Sequence, residues 1–425
     1  MATATTTSRA PVGYLELIRT NHNFRNLWYG QIISLLGDWF DLIASAALVG
    51  LLTKSGLAVG SLFVVRMLAP FLISPLAGVV ADRYNRKQVL ILTDLSRAVV
   101  VLGFLFVRDA KHLWLLYVLT ALQLGISGFF FPARNAILPD IAEPHEMGAA
   151  NALSSATWSV MLAMGAALGG LASGLWGIYP AFVIDSVSFL LSAFFIARVT
   201  QVATPSLASA DKTIGAALQQ YIDGLRYLGR QSDVLVITLH KAVNALILSA
   251  GFQVLQVAIA QKLFVIGEGG GISLGLMFAV SGIGTGVGPM IARWITGDDP
   301  KSLRWAITVG YLIAGLGLVL TAPLFSFGGV LLGTLLRALG GGVVWVFSTQ
   351  LLLQVVPNQI LGRIFATEYA FFNLTSAISA AAVGAALDAS LSISAVIWWM
   401  AAFSVVPVIL WTLWLKRDPI VSSID

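Results

Sequence analysis

Twelve apolar runs, each of about 20 residues or more, limit what this chain can fold into. They fall at 27–52, 57–81, 89–108, 113–137, 149–175, 179–199, 233–262, 272–295, 304–322, 328–356, 364–388 and 393–415. A helix of roughly 20 apolar residues crosses about 30 Å of hydrocarbon, so each run predicts a membrane-spanning helix. Composition points the same way. The 425 residues are 58% hydrophobic and 11% charged, with a mean hydropathy of +0.87, whereas soluble domains carry about 25% charged residues. Too little polar surface is available to cover the chain, and lipid must be its solvent. The opening stretch MATATTTSRAP lacks the charged-then-apolar order of a secretory signal. The first run is too long to be a signal core, so it is read as a retained span.

Several function classes drop out on composition. The net charge of +5 is small, and nucleic acid demands a dense basic face. The chain has no cysteine, which removes disulfides, iron–sulfur clusters and thiolate zinc sites. The histidines His22, His112, His145 and His240 show no metal-ligand spacing. There is no Walker A sequence. GISLG from Gly271 to Gly275 fits a serine-nucleophile pattern only outside its strand–turn–helix context. GIGTGVG from Gly282 to Gly288 lacks the spacing and preceding strand of a dinucleotide loop, and reads as a close-packing helix face. No cofactor and no enzymatic activity are expected.

Basic residues set orientation. With the N-terminus in the cytoplasm, that side holds Arg9, Arg19, Arg25, Arg83, Arg86, Lys87, Arg134, Arg198, Lys212, Arg226, Arg230, Arg293, Lys301, Arg304, Arg363, Lys416 and Arg417. The opposite side holds Lys54, Arg108, Lys111 and Lys262. Both termini are therefore expected inside. The longest connection, 200–232, begins as a polar linker. It continues with Ile214, Leu218, Tyr221, Ile222, Leu225 and Leu228 at helical spacing, a surface amphipathic helix. It divides the chain into an N-terminal bundle (1–199), a linker (200–232) and a C-terminal bundle (233–425). LPDIAEPHEMGAANAL and VPNQILGRIFATEY echo one another in the two halves, a pattern found in transporters with duplicated halves and a central site.

The stretch ISLLGDWFDLIA puts Asp38 and Asp41 inside the first run. A charge at mid-membrane costs about 2.5–3.5 kcal/mol on insertion scales, and such residues face a partner or a cavity. Three apart, the two aspartates share a helix face. Asp41 lies eleven residues, and Arg66 nine residues, from the outer ends of their runs, or about 16 and 14 Å. Arg66 is expected to pair with Asp41, leaving Asp38 to take up a proton. The plainer reading, in which both aspartates only satisfy Arg66 and nearby polar groups, stays open. Weaker cavity candidates are Gln31, Asp185, Lys241, Asn244 and Arg337, with a bend expected at Gly340–Gly342. Phe129, Phe130 and Phe131 form either an apolar substrate surface or a lipid-facing run.

A second charged set lies at the inner edge. GVVADRYNRKQVL supplies Gly78, Asp82, Arg83, Arg86 and Lys87; Asp94 and Arg97 follow, with Arg134 nearby. Asp82 is expected to cap the start of the eleventh span near Gly362 and Arg363 when the halves close on the inside, with Glu368 as a partner of Arg363. GVVADRYNRK closely resembles the loop motif of the major facilitator superfamily, glycine-x-x-x-aspartate-arginine-x-glycine-arginine-lysine/arginine. The match covers Gly78, Asp82, Arg83, Arg86 and Lys87 and departs at Asn85, a residue that tolerates the left-handed conformation. That resemblance implies the family's fold of two pseudo-symmetric six-helix bundles.

NHNFRNLWYGQIISLLGDWF and VWVFSTQLLLQVVPNQILGRIFA look like the branch holding macrolide-efflux and enterobactin-export proteins. This implies export driven by proton entry, in a bacterial inner membrane, with Gly37 and Asp38 at the first-span motif. The antiporter motif of the fifth span appears as GAALGG, with Ala166 where proline is expected. Small residues still allow close packing, but the proline kink is lost. The implied partners are a small amphipathic substrate, protons and the bilayer, with a monomer favoured. A lipid or lysophospholipid flippase of the same fold, or a non-transporting scaffold or sensor, is the alternative.

Overall fold

A computed structural model describes residues 12–143, 145–200, 219, 222, 225–297 and 299–416, without the side chains of 74, 75, 78, 79, 81–83, 155, 159, 358 and 359. Among these residues there are twelve helices long and apolar enough to cross a membrane, and no strand. Spans 1 to 6 are His22–Thr53, Gly56–Arg83, Arg86–Leu102, Leu113–Ile141, Met147–Trp176 and Ile178–Ala197. Spans 7 to 12 are Ser232–Lys262, Gly271–Thr296, Pro300–Thr321, Phe327–Val355, Asn358–Asp388 and Ile393–Leu415. Short polar residues between the runs start the helices. Asn21, Ser55, Asn85, Asp299, Ser326 and Ser392 each accept a hydrogen bond from a first-turn amide, satisfying a donor the helix itself leaves unpaired. Asn85 does this from an extended conformation, φ −61°, so the loop turns without the left-handed residue expected there.

Residues 12 and 416 lie at the same end of the antiparallel spans, here called the terminal face; the other is the distal face. Span 1 packs on spans 5 and 6, span 2 on span 4, and span 3 on spans 4 and 6. In the second half, span 7 packs on spans 10 and 11, span 8 on span 10, and span 9 on spans 10 and 12. Lipid provides little apolar driving force between helices, so contact depends on small residues that let backbones approach. The halves meet along two such seams, span 2 with span 11 and span 5 with span 8. In the second seam Gly170 lies against the Gly275 backbone, and a Cβ at either position would collide with the other.

Of the linker helix expected from Ile214 to Leu228, Ile214, Leu218, Tyr221 and Lys212 lie outside the described residues, as does Arg417. Leu228 is buried and Leu225 exposed. Span 10 runs continuously through Gly340–Gly342. The irregular geometry is instead in span 7, where Ala245–Ser249 form a π-turn. Arg337 reaches it, donating to the Leu248 carbonyl at 3.0 Å, so the arginine stabilises a deformation in a neighbouring span rather than marking a bend in its own.

Candidate functional site

Spans 1 to 5 enclose a cavity of about 250 Å³, lined by Asp38, Trp39, Arg66, Arg97, Phe130, Phe131, Arg134 and Trp158 among others. Trp158 and Phe131 are about half exposed. The phenylalanine run thus contributes two rings to this cavity, and Phe130 stacks 5.2 Å below the Arg97 guanidinium.

A cluster of charges forms part of the cavity wall and extends behind it. Arg66 Nη1 is 3.0 Å from Asp41 Oδ2, and Asp41 is fully buried. Asp38 is not left alone, as the sequence suggested. Arg97 Nη1 reaches its Oδ1 at 3.4 Å, while 27% of the Asp38 side chain stays open to the cavity. Arg97 also donates to Asp94 at 2.5 Å and to Ser34 at 2.9 Å, and lies 4.0 Å over the Phe189 ring. Asp94 and Arg97 were expected in the network at the inner edge. They lie eight and eleven residues from the start of span 3, about 12 and 16 Å by the helical rise, and that depth with the length of the arginine side chain carries them to the bundle centre instead. Asp185 of span 6 completes the cluster, fully buried, with Gln123 Nε2 3.5 Å away. Gly37 makes this packing possible: a Cβ there would collide with Ser188 and Asp185. Gln31 lines the cavity with both amide atoms unpartnered.

Only part of the expected edge network is visible. The side chains of Gly78, Asp82 and Arg83 fall outside the described residues. Arg86 pairs with Asp140 at 2.6 Å, and Lys87 donates to the Val199 carbonyl at 2.7 Å, tying the loop to the ends of spans 4 and 6. Arg134 turns toward the cavity, held by Ser154 and by Asn135 at 3.2 Å. At the start of span 11, Gly362 has open space around its α-carbon.

In the second half, Glu368 pairs with Lys241 at 2.7 Å, not with Arg363. Lys241 also sits 4.8 Å over Trp345. The two charges come from adjacent spans 7 and 11, whereas Arg363 lies more than a turn away along span 11, closer to the surface. Asn244 is buried with its Oδ1 unpartnered, facing Gly341.

The distal face holds contacts that the charge pattern did not reveal. Asp388, the last residue of span 11, accepts from the Gly56 amide at 2.6 Å, the Leu57 amide at 3.2 Å and the Ser55 hydroxyl at 2.6 Å. It therefore caps the N-terminus of span 2 from the other half. Gln261 of span 7 donates to the Ala47 carbonyl of span 1 at 2.9 Å. Gly56 packs on Gly384 and Leu387, and Gly174 on Ile272. These contacts join the two halves at the distal face.

The model of the Major Facilitator Superfamily matches residues 27–367. The chain belongs to that superfamily. It is 28% identical over 379 residues to the "Uncharacterized MFS-type transporter YfiS" of Bacillus subtilis, with 87% of each chain covered. It is 26% identical over 357 residues to the "Putative bacilysin exporter BacE" of the same organism, covering 84% of this chain and 86% of the relative. Among solved structures, the nucleoside transporter NupG superposes with a TM-score of 0.74 at 12% identity, over 92% of this chain and 99% of that one. This superfamily chain is a membrane transporter built on the family's twelve-helix fold, not an enzyme.

Proposed function

We propose that this transporter exports an amphipathic small molecule in exchange for protons by alternating access. The observation that carries the reading is the cavity in the first half. There the part-exposed Asp38, linked to Arg97, meets Trp39, Trp158 and two phenylalanines. Aromatic walls beside one part-exposed carboxylate, flanked by Arg66, Arg97 and Arg134, suit an amphipathic ligand and a proton competing for the same place. A relative described as an exporter supports the direction. The terminal face carries most of the lysines and arginines, which supports a cytoplasmic placement for both termini, in a bacterial inner membrane. A six-plus-six division at 200–232 and a monomer complete the proposal. With its halves joined at the distal face, the molecule is read as sealed on that side, an inward-open state. In the opposite state Asp82 would cap span 11 near Gly362, with Arg363 beside it.

Protons can drive the cycle only by binding the two states unequally. Accumulation of fluorescent cations and of a macrolide in cells lacking their own pumps tests the reading. Cells making this protein should accumulate less than controls, and both an uncoupler and Asp38→Asn should abolish the difference. If Asp38→Asn, present at normal level, exports with unchanged pH dependence, Asp38 does not carry the coupling proton.

A further inference from the structure

The charges at the centre of the first half do not balance. Asp38, Asp41, Asp94 and Asp185 face Arg66 and Arg97, so two carboxylates have no cation of their own. Asp41 pairs with Arg66, and Asp94 and Asp38 share Arg97. Among the described ion pairs Asp185 takes part in none. Its charged neighbours are Asp41 and Asp38 of span 1 and Arg97 of span 3, which is committed to two other aspartates. Span 4 presents the uncharged Gln123. Span 5 carries no charged residue along its length. Arg134 is engaged elsewhere, by Ser154 and Asn135.

Hydrogen bonding around Asp185 is as poor as the charge pairing. The Ser188 hydroxyl has one proton and directs it to the Asp185 main-chain carbonyl at 2.7 Å, leaving a weaker 3.3 Å contact to the carboxylate. Gln123 donates only at 3.5 Å. Two neighbouring acceptors, Asp41 Oδ1 and Gln123 Oε1, are buried with no donor at all, although Gln123 faces both Asp41 and Asp185. Buried acceptors normally find donors, and an isolated buried carboxylate is costly unless neutralised. One hydrogen on a carboxyl group here answers both deficits, because it removes a charge and supplies the missing donor.

We infer that Asp185 of span 6 carries a resident proton and serves as the buried store of the coupling ion behind cavity-facing Asp38. As a neutral acid Asp185 offers its O–H to the unpartnered Gln123 or Asp41 oxygen. As a carboxylate it would repel Asp41 and compete with Asp38 and Asp94 for Arg97. Proton loss from Asp185 therefore acts on the Asp41–Arg66 contact that joins spans 1 and 2. The coupling role rests on the proton-driven reading above; the resident proton does not.

Infrared spectroscopy of the purified protein, grown with carbon-13-labelled aspartate, tests this without any substrate. The wild type should show a protonated carboxylic acid band at neutral pH that shifts with the label. Asp185→Asn should lose the band, while Asp38→Asn and Asp41→Asn should keep it. Absence of the band in the wild type would overturn the inference. So would its persistence in Asp185→Asn, or its loss in a monodisperse Asp38→Asn or Asp41→Asn. If Asp185→Asn does not fold, Asp185→Glu serves, with the band expected to move off the label. Proton-independent export together with an intact band would remove the coupling role and leave the resident proton standing. A missing band beside proton-driven export would overturn the inference for Asp185 and leave the proton-driven reading standing.

Discussion

Replacing Asp388 by alanine should release the distal face. In the sealed state the Asp388 carboxylate accepts two span 2 amides and one hydroxyl across the boundary between the halves. Those amides have no intrahelical partner, and the negative charge lies at the positive end of the span 2 dipole. Loss of an N-cap costs about 0.5–2 kcal/mol. Ser55 remains as a second cap through its bond to the Ala58 amide at 3.1 Å. The site is also open to water, which trims the charge contribution. A loss of about 1–2 kcal/mol from the sealed state alone changes the ratio of sealed to open molecules by a factor of about 5–30. Because the contact exists only when the two halves meet, the loss bears on the equilibrium between states rather than on folding.

The chain has no native cysteine, so Lys111→Cys and Phe325→Cys place one spin label on the distal side of each half. Pulsed distance measurements should show the longer-distance population rising by that factor in Asp388→Ala. Asp388→Asn should change it less, since asparagine is itself a good cap. An unaltered distance distribution in Asp388→Ala would refute the argument. It would mean that the glycine seams and the Gln261–Ala47 hydrogen bond hold the distal face shut without Asp388.

Two buried ion pairs make sharper stability predictions. Asp41→Asn strands the Arg66 guanidinium, and breaking a buried pair costs about 3–5 kcal/mol. A lower melting temperature is therefore expected, largely recovered in Asp41→Asn with Arg66→Gln, by a double-mutant thermal-shift cycle. Lys241→Met should likewise destabilise by leaving Glu368 buried and unpaired, with recovery in Lys241→Met combined with Glu368→Gln. Melting temperatures that fall additively in either double mutant would show that the two side chains do not act as a pair.

The spans were legible because membrane crossing needs length and apolarity, both local properties of the sequence. The Arg66–Asp41 contact was also within reach, since two antiparallel neighbours with charges at equal depth have few alternatives. Arg97 was not. Its side chain is long enough to leave the edge and reach Asp38, and span-by-span counting does not tell which face of span 3 turns inward. Glu368 was assigned to Arg363 by closeness along the chain, while its partner Lys241 lies on another span. Asp388 and Gln261 looked like ordinary span ends. Their function depends on which helix end lies opposite, and that is a property of packing between the halves.

The charges and the seals occupy different places in the molecule, and span 1 joins them. Asp38 and Asp41 sit midway along it. Six residues beyond Asp41, or about 9 Å by the helical rise, Ala47 accepts the Gln261 amide from the second half. Span 2 repeats the arrangement, with Arg66 at mid-depth and its capped start at Gly56. The Asp41–Arg66 pair thus fixes the relative position of the two helices whose distal ends contact the other half. A proton gained or lost beside this pair alters what holds spans 1 and 2 in register, and the distal contacts respond because each helix moves as a stiff rod. On the proton-driven reading proposed above, the first half is the one that senses the proton. The second half, whose buried Glu368 is matched by Lys241, would then supply the surface against which the first half closes.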